Sequence, residues 1–252
     1  MKIAKISIRA LITSSIALAC STVSFADIAF MEGDFDPGSY SDGPTIVRFD
    51  QNPGASYSAT SSQFDTQNLG KVIIQIFDMT RPTDEFNVVY QPIFLTDFIY
   101  DPTTEGAIAS LTASAKTFSP TGTPPFVEYG VMRVAIKQNN KIYFAGIEGF
   151  STDDDTAIRN KSGLIAEDFI EMSNGFGDPD SHPDFAGDEM QFGFTVSMTT
   201  TFLPADTQRI HHVGFDDVTV RIDSAAIPEP ASFALLGLGS LAMLKRRMRS
   251  IS

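Results

Sequence analysis

The chain has one cysteine, no tryptophan and only three histidines among its 252 residues. Cys20 lies in an N-terminal stretch that we expect to be removed, so the mature chain is predicted to lack disulfides, thiolate metal sites and cysteine nucleophiles. His182 stands apart, whereas His211 and His212 are adjacent and would point to opposite faces of a strand. This spacing argues against a zinc site or a Ser-His-Asp set. The lack of tryptophan disfavours a flat aromatic platform for polysaccharide.

Positive charge is also scarce, with 18 basic residues against 31 acidic ones. Three basic residues lie in residues 1–26 and four in residues 227–252, which leaves 11 for the body between them. Only one acidic residue lies in those ends, so the body has 30 acidic residues and a net charge of −19. A surface this acidic should repel nucleic acid and anionic lipid, and it suits calcium-rich or anionic-matrix surroundings.

The N-terminus has the three parts of a secretory signal peptide. Basic residues come first, and a short apolar stretch follows at 10–19. Small residues then flank a cleavage site between Ala26 and Asp27, so residues 1–26 are predicted to be removed. A transmembrane helix would need a longer apolar run. Lipid attachment at Cys20 would usually need a leucine three places before it, where Ala17 stands.

The C-terminal segment, residues 227–252, also has three parts. Pro228-Glu229-Pro230 should be extended and open to an enzyme, because proline fixes φ and removes a backbone donor. The uncharged run 231–244 would span about 21 Å as a helix, short of a bilayer core of about 30 Å, which favours a temporary transmembrane anchor. The basic cluster that follows should stay on the cytoplasmic side. The cluster consists of Lys245, Arg246, Arg247 and Arg249.

These three parts, in this order, closely resemble the PEP-CTERM sorting signal of Gram-negative bacteria. The resemblance implies that the protein is a substrate of exosortase, a membrane transpeptidase-like cysteine enzyme, and that Pro228, Glu229 and Pro230 form the recognition site. It also implies a transient inner-membrane anchor and a final location outside the cell or at its surface, in species that make exopolysaccharide and biofilm. The alternative is a buried C-terminal helix that ends in a solvated basic patch.

The body, residues 27–226, has the pattern of an all-β domain. Residues 27–70 are rich in turn-forming residues and predict short strands, such as 45–49, joined by long loops. Further on, apolar runs and alternating apolar and polar residues predict strands at 72–77, 88–90, 93–99, 109–116, 132–137, 142–145, 190–199 and 218–222. Asn139-Asn140 predicts a tight hairpin turn, and 164–172 has a weak helical pattern. The fold class predicted is an antiparallel β-sandwich of the jelly-roll type.

A narrower resemblance rests on four segments, which are 106–111, 134–144, 190–194 and 215–220. They are similar to strands of jelly-roll sandwiches of the concanavalin-like or laminin-G-like kind. Such folds often bind glycans, sometimes with calcium, but a fold alone does not establish a ligand. Among the aromatic residues, Tyr57, Tyr129 and Tyr143 are the candidates for stacking on sugars.

Two acidic loops are candidate calcium sites, because Ca²⁺ takes about 6–8 oxygen ligands. The first loop lies in the Gly/Pro-rich stretch 175–189, and the second is at 153–155. The candidate ligands are Asp178, Asp180, Asp184 and Asp188 in the first loop, and Asp153, Asp154 and Asp155 in the second. Solvated acidic loops are the alternative. Asp216 and Asp217 should point to opposite faces of the last strand, where one of them would need a partner inside the fold.

These observations favour an exosortase-sorted protein of the cell surface or exopolysaccharide matrix that is structural or glycan-binding and not an enzyme. The alternative is a carbohydrate-active hydrolase that uses paired carboxylates, with Glu167 and Glu171 as candidates. With Asp168 they resemble a carboxylate cluster, which lacks the Glu-x-Asp-x-x-Glu spacing of sandwich-fold glycosidases. In a third hypothesis, a surface protein binds calcium in its acidic loops only for stability.

Overall fold

The computed structural model describes residues 27–48, 56–66, 70–81, 88–118, 129–151, 157–172, 177–199 and 207–225. The predicted signal peptide, the 153–155 loop and the predicted sorting tail therefore lie outside the described residues. Within the described ranges, no helix has the length and apolar character needed to cross a membrane.

The described chain is built from fourteen strands. The strands are β1 (Asp27–Glu32), β2 (Tyr40–Asp42), β3 (Ile46–Arg48), β4 (Ser56–Thr66), β5 (Gly70–Arg81), β6 (Val88–Tyr90), β7 (Ile93–Tyr100), β8 (Ile108–Phe118), β9 (Tyr129–Gln138), β10 (Lys141–Ser151), β11 (Ala157–Leu164), β12 (Ile170–Glu171), β13 (Met190–Thr199) and β14 (Thr207–Ser224). A one-turn helix, α1 (Pro102–Glu105), follows β7, and a 3-10 turn at Ala166–Asp168 precedes β12.

The strands form two antiparallel sheets. Sheet A has the order β11-β8-β14-β5-β4, with β1 also paired to β14. Sheet B has the order β12-β10-β9-β13-β6-β3. In sheet B, β7 pairs with β13 on the same side as β6, and β2 pairs with β7. This architecture confirms the prediction of an all-β antiparallel sandwich.

A single apolar core fills the space between the sheets. Sheet B contributes alternate residues of β13, from Met190 to Met198, and sheet A contributes residues such as Phe77, Leu111 and Phe215. All of these side chains are 2% exposed or less. The period-2 alternation read in the sequence therefore marks the inward faces correctly, because successive strand residues point to opposite sides.

The structure also corrects some local predictions. Residues 164–172 are not a helix but the end of β11, the 3-10 turn and the two-residue β12. The serine- and threonine-rich segment Ser56–Thr66 is an eleven-residue edge strand, whereas the turn-forming residues around it predicted loops. The hairpin turn at Asn139 and Asn140 is confirmed, with φ of 52° and 62°. Asparagine tolerates this left-handed region better than most residues.

A buried polar network joins the two sheets where sheet B is interrupted. β6 ends and β7 begins on either side of Gln91-Pro92, and proline has no N–H to continue the ladder against β13. Gln75, fully buried in β5 of sheet A, reaches across the core to this gap. Its Nε2 donates to the Gln91 carbonyl at 2.5 Å, and its Oε1 accepts from the Val196 N–H at 3.2 Å.

Two further residues, Thr195 and Gly193, contribute to the structure where sheet B is interrupted. The Thr195 hydroxyl donates to the Gln91 carbonyl at 2.9 Å and accepts from the Gln91 N–H at 3.2 Å. Gly193 lies so close to β7 that an added Cβ would overlap the Ile93 carbonyl oxygen. Side chains thus satisfy the backbone groups of Gln91 and the Val196 N–H at this interruption, and the glycine allows β7 and β13 to approach each other.

A buried ion pair supports the last strand of sheet A. Asp216 is 3% exposed, and its carboxylate lies 2.9 Å from Lys116 Nζ and accepts from the Asp217 N–H at 3.0 Å. Asp217 itself is exposed and has a positive φ of 48°. The hydrogen bond with Asp216 raises the pKa of Lys116. Asp216 follows the core residue Phe215, so it lies on the side of sheet A away from the core, where it is buried against Lys116 and not inside the sandwich as one of the two aspartates was expected to be.

His211 and His212 in β14 have different surroundings. His211 is 4% exposed in the interior, and His212 is half-buried. Burial, with a smaller repulsion from His212, lowers the pKa of His211 to about 4 from its ordinary 6.5. His211 is therefore neutral at pH 7.

We expect substitution of Gln75 by leucine to destabilise the fold. Leucine has a similar size but leaves the buried Val196 N–H without its acceptor, which should lower the free energy of unfolding by about 1–3 kcal/mol. Urea denaturation measures this change. The control is Gln208→Leu, an exposed glutamine bonded to Asp78, which should change stability by less than about 0.5 kcal/mol. Equal midpoints for the two variants would contradict the bridging role of Gln75.

Stability should also depend on pH through His211. The unfolded chain protonates this histidine near pH 6.5 and the folded chain only near pH 4, so its contribution is fully present above pH 6.5 and is lost as the pH falls toward 4. The loss should be about 2 kcal/mol at pH 5. Urea unfolding across this range should show a shallower pH dependence for His211→Phe, whereas His212→Gln should keep most of it. Parallel pH profiles for the wild type and His211→Phe would contradict this account.

Candidate functional site

The first acidic loop is held to the sandwich at two points. At the first point, the side-chain amide of Gln138, at the end of β9, is 2% exposed. Its Nε2 donates to the carbonyls of Asp184 and Asp188 at 3.0 and 2.6 Å, and its Oε1 accepts from the Asp184 N–H at 2.8 Å. One buried side chain therefore fixes the backbone of this part of the loop.

The second point is a polar cluster of Lys141, Glu171 and Ser181. Glu171 Oε2 accepts from Lys141 Nζ at 2.7 Å and from Ser181 Oγ at 2.5 Å. Lys141 Nζ also lies 3.2 Å from Ser181 Oγ. The hydrogen bond with Glu171 raises the pKa of Lys141. The cluster joins β10, β12 and the loop.

The four candidate calcium ligands of this loop are exposed aspartates. Asp178 Oδ1 accepts from the Asp180 N–H, and Asp184 Oδ1 accepts from the Ala186 N–H, both at 3.0 Å. These contacts stabilise turns within the loop. In the part of the chain that the structure describes, no three His, Cys, Asp or Glu side chains come together in a way that could hold a metal ion. Calcium binding by Asp178, Asp180, Asp184 and Asp188 stays a prediction.

The chemistry of the Lys141 cluster is that of a structural ion pair. A serine next to a lysine can act as a nucleophile only where the lysine loses its proton and serves as a base. The raised pKa of Lys141 works against that role, because it keeps the ammonium charged. Glu171 accepts hydrogen bonds from Lys141 and Ser181, and Glu167 lies exposed in the 3-10 turn. This arrangement does not favour the hydrolase hypothesis for these two carboxylates.

The second candidate site is the outer face of sheet B, on the side away from the core. Here Tyr90, Phe94 and Phe144 belong to a second apolar cluster, with Ile46, Ala135 and Met172. Tyr90 and Phe144 stack with ring centroids 5.4 Å apart and planes at 17°. The three rings are only 2–3% exposed.

Two basic side chains lie over these rings. The guanidinium carbon of Arg133 is 5.6 Å from the centroid of Tyr90, and Lys137 Nζ is 5.8 Å from the centroid of Phe94. Arg133 Nε also donates to Ser197 Oγ at 3.3 Å. Both distances are within the range of cation–π attraction, about 6 Å. We call the five residues Tyr90, Phe94, Arg133, Lys137 and Phe144 the basic-aromatic face.

The basic-aromatic face was not predicted from the sequence. Of the tyrosines expected to stack on sugars, Tyr143 is buried in the core and Tyr57 packs against it. The side chain of Tyr129 lies outside the described residues. The sequence contained one indication of this face. Arg133 and Lys137 alternate with core residues of β9, so their side chains lie on the outer side of that strand. The rings come from other strands, and nothing local in the sequence indicates that pairing.

Comparisons with known proteins identify the tail. The sequence profile of the PEP-CTERM protein-sorting motif matches residues 226–250. The match includes Pro228-Glu229-Pro230, the apolar run and the basic cluster, so the resemblance of the tail is confirmed. Among curated proteins, none matches this chain.

The solved structures that match this chain include carbohydrate-binding modules. A family 11 module from Clostridium thermocellum, in complex with a β-1,3-1,4-mixed-linked tetrasaccharide, is 12% identical with a TM-score of 0.40, over 79% of this chain and 98% of that one. A family 22 xylan-binding domain is 9% identical, with a TM-score of 0.33, over 72% and 96%. The CBM22-1 xylan-binding domain from Paenibacillus barcinonensis is 11% identical, with a TM-score of 0.31, over 79% and 95%.

Likeness at this level carries no argument about what the chain binds. The resemblance to concanavalin-like or laminin-G-like sandwiches is not confirmed. The two firm findings are that the body is an antiparallel β-sandwich and that the chain carries a PEP-CTERM sorting motif at residues 226–250.

Proposed function

We propose that this chain is an exported protein of the cell surface or exopolysaccharide matrix, which exosortase processes at its tail. The observation that carries the proposal is the PEP-CTERM motif at residues 226–250. The protein is the substrate of the sorting enzyme, and Pro228, Glu229 and Pro230 are its recognition site. The β-sandwich is the part that is delivered, and it serves as a structural or glycan-contacting body, not as an enzyme.

Each part of the tail has a role in this proposal. The run 231–244 enters the inner membrane as a temporary anchor, and the cations from Lys245 to Arg249 keep the end of the chain in the cytoplasm. The Pro-Glu-Pro segment then lies on the outer side, where it has few competing backbone hydrogen bonds. Cleavage there separates the body from its anchor.

The C-terminal end of the described body fits this division of the chain. β1 pairs with β14 from Asp27↔Asp223 to Glu32↔Val218. β14 ends at Ser224, and the Ala225 N–H donates to the Ala107 carbonyl at 2.6 Å. Pro228 follows three residues later. The last described strand of the sandwich thus ends shortly before the proposed recognition site.

Export also fits the composition of the body. A net charge of −19 favours solvation and opposes binding to nucleic acid and anionic lipid. The ion pair between Glu171 and Lys141 and the exposed position of Glu167 do not favour the hydrolase hypothesis. A non-enzymatic role at the surface is therefore the better-supported proposal.

Processing is tested by expressing the full chain in a bacterium that has exosortase and in the same strain without it. We expect a chain that lacks the tail only in the first strain, with the new C-terminus identified by mass spectrometry. Replacing Glu229 by glutamine removes the only carboxylate of the recognition site and should reduce the processed fraction to background. Ser250→Ala, beyond the basic cluster, is the matched control and should be processed normally. Unchanged processing in the strain without exosortase would refute the proposal.

A further inference from the structure

We infer that exosortase contacts the end of the sandwich from which β14 leaves, and that this end is part of the interface between the enzyme and its substrate. We call it the tail-proximal surface, which consists of α1, Ala107, the turn at residues 184–188 and Ala225. The inference rests on the proposed function, in which exosortase cleaves this tail. It goes beyond that function because it names a region outside the sorting motif that the enzyme meets.

Backbone hydrogen bonds join the parts of the tail-proximal surface. The Ala225 N–H donates to the Ala107 carbonyl at 2.6 Å. The next residue, Ile108, donates its N–H to the carbonyl of Phe185 at 2.8 Å, which attaches the turn. α1 ends two residues before Ala107. The turn and α1 therefore lie next to the point where the chain leaves the sandwich.

The connection from this surface to the recognition site is short. Ala225 is the last residue that the structure describes, the PEP-CTERM motif begins at residue 226, and Pro228 follows Ala225 by three residues. Three residues span at most about 11 Å when fully extended. A single helix with its side chains is about 10–12 Å wide. Any element of the enzyme that encloses Pro228 on the side of the body therefore fills this distance and touches the tail-proximal surface.

The end of β14 is held in the fold, which keeps the connection short. Ser224 is 5% exposed and pairs with Ile108, and Ile222 is fully buried in the core. The Asp223 carboxylate accepts from Ser110 Oγ at 2.9 Å. Releasing these residues would break this pairing and expose core surface, while each released residue would add only about 3.5 Å. The folded body therefore stays close to the bound enzyme.

The tail-proximal surface is polar and negatively charged. Its exposed carboxylates are those of Glu105, Asp184 and Asp188, and neither α1 nor the turn contains a lysine or an arginine. Phe185, the one aromatic residue of the turn, is only 8% exposed. Such a surface fits a polar partner with positive charge in a transient contact. Recognition of the Glu229 carboxylate requires hydrogen-bond donors or positive charge on the same enzyme.

Photo-crosslinking of the full chain in a bacterium that has exosortase tests this contact. A photoreactive benzoylphenylalanine replaces Ala186, an exposed residue of the turn that has no polar side-chain atom. The exosortase of this strain has its catalytic cysteine replaced by alanine, so that the substrate stays bound. We expect irradiation to give a covalent adduct between the chain and the enzyme.

The matched control carries the same group at Ser56, an exposed residue at the opposite end of the sandwich. Ser56 pairs with Thr80, and Thr80 pairs with Gln208 near the start of β14. Gln208 lies about 55 Å along this strand from Ala225, at ~3.3 Å per residue. Ser56 should give little or no adduct. Processing of both labelled chains by the active enzyme checks that each is still a substrate.

A longer connection provides a second test. An insertion of five glycine and serine residues between Ala225 and Ala226 adds up to about 18 Å, so the enzyme can hold the motif without touching the body. The active enzyme should still process the inserted chain. The adduct from Ala186 should fall several-fold with the inactive enzyme.

Two substitutions at Ala186 test the charge of the contact. Ala186→Arg introduces a charge that opposes a basic partner and should slow processing by about 2- to 5-fold in a pulse-chase experiment. Ala186→Glu keeps the sign of the surface and should be processed at least as fast as the wild type. Equal rates for the two variants would contradict the predicted charge complementarity.

Other results would overturn the contact itself. They are equal adduct yields from Ala186 and Ser56, and no adduct from either while the active enzyme processes both chains. An Ala186 adduct that the insertion does not reduce would also overturn the inference, because the contact would not depend on the short connection. None of these results affects the proposed function. If the active enzyme processed no version of the chain, the proposed function would be refuted, and this inference with it.

Discussion

The fold depends on how β13 is paired where its neighbour is interrupted. Pro92 interrupts the ladder in the middle of sheet B, and the amide of Gln75, from the opposite sheet, bonds the Gln91 carbonyl and the Val196 N–H at this interruption. A buried polar group stabilises a fold only where all its partners are present, so this contact fixes the distance between the sheets as well as their relative position. Gly193 allows β7 to approach β13 next to it.

This constraint also shapes the outer side of the same sheet. The residues of β13 and β9 that point outward there include Gly193, Thr195 and Ala135, which are small. Larger side chains from the flanking strands, Tyr90 and Phe144, extend over this floor until their rings meet. The outer face is thus a thin second apolar cluster, and the long side chains of β9 cover it. A sheet with large residues in the same central positions would have no space for rings beneath its cations.

The sequence predicts the fold well where one side of a strand is buried. Alternation identified β13 and the end of β14, and Asn139-Asn140 identified the hairpin. Alternation does not identify β4, an edge strand in which Ala59 is the only buried residue. Polar residues on both faces of this strand give it the pattern of a loop. The basic-aromatic face could not be predicted from the sequence. Arg133 over Tyr90 depends on the register of β9, β13 and β6, and no local pattern encodes the register between distant strands.

The position of β14 has a consequence for the timing of export. β14 is the last strand in the described residues, yet it lies inside sheet A and pairs with β1, β5 and β8. In the proposed export, a chain that crosses the membrane from its N-terminus cannot complete this sheet until residue 224 has emerged, immediately before the sorting motif at residues 226–250. In the proposed sorting, the last step of folding and the arrest of the tail in the bilayer would therefore take place almost together. The enzyme that releases the protein would meet a domain that has only just closed.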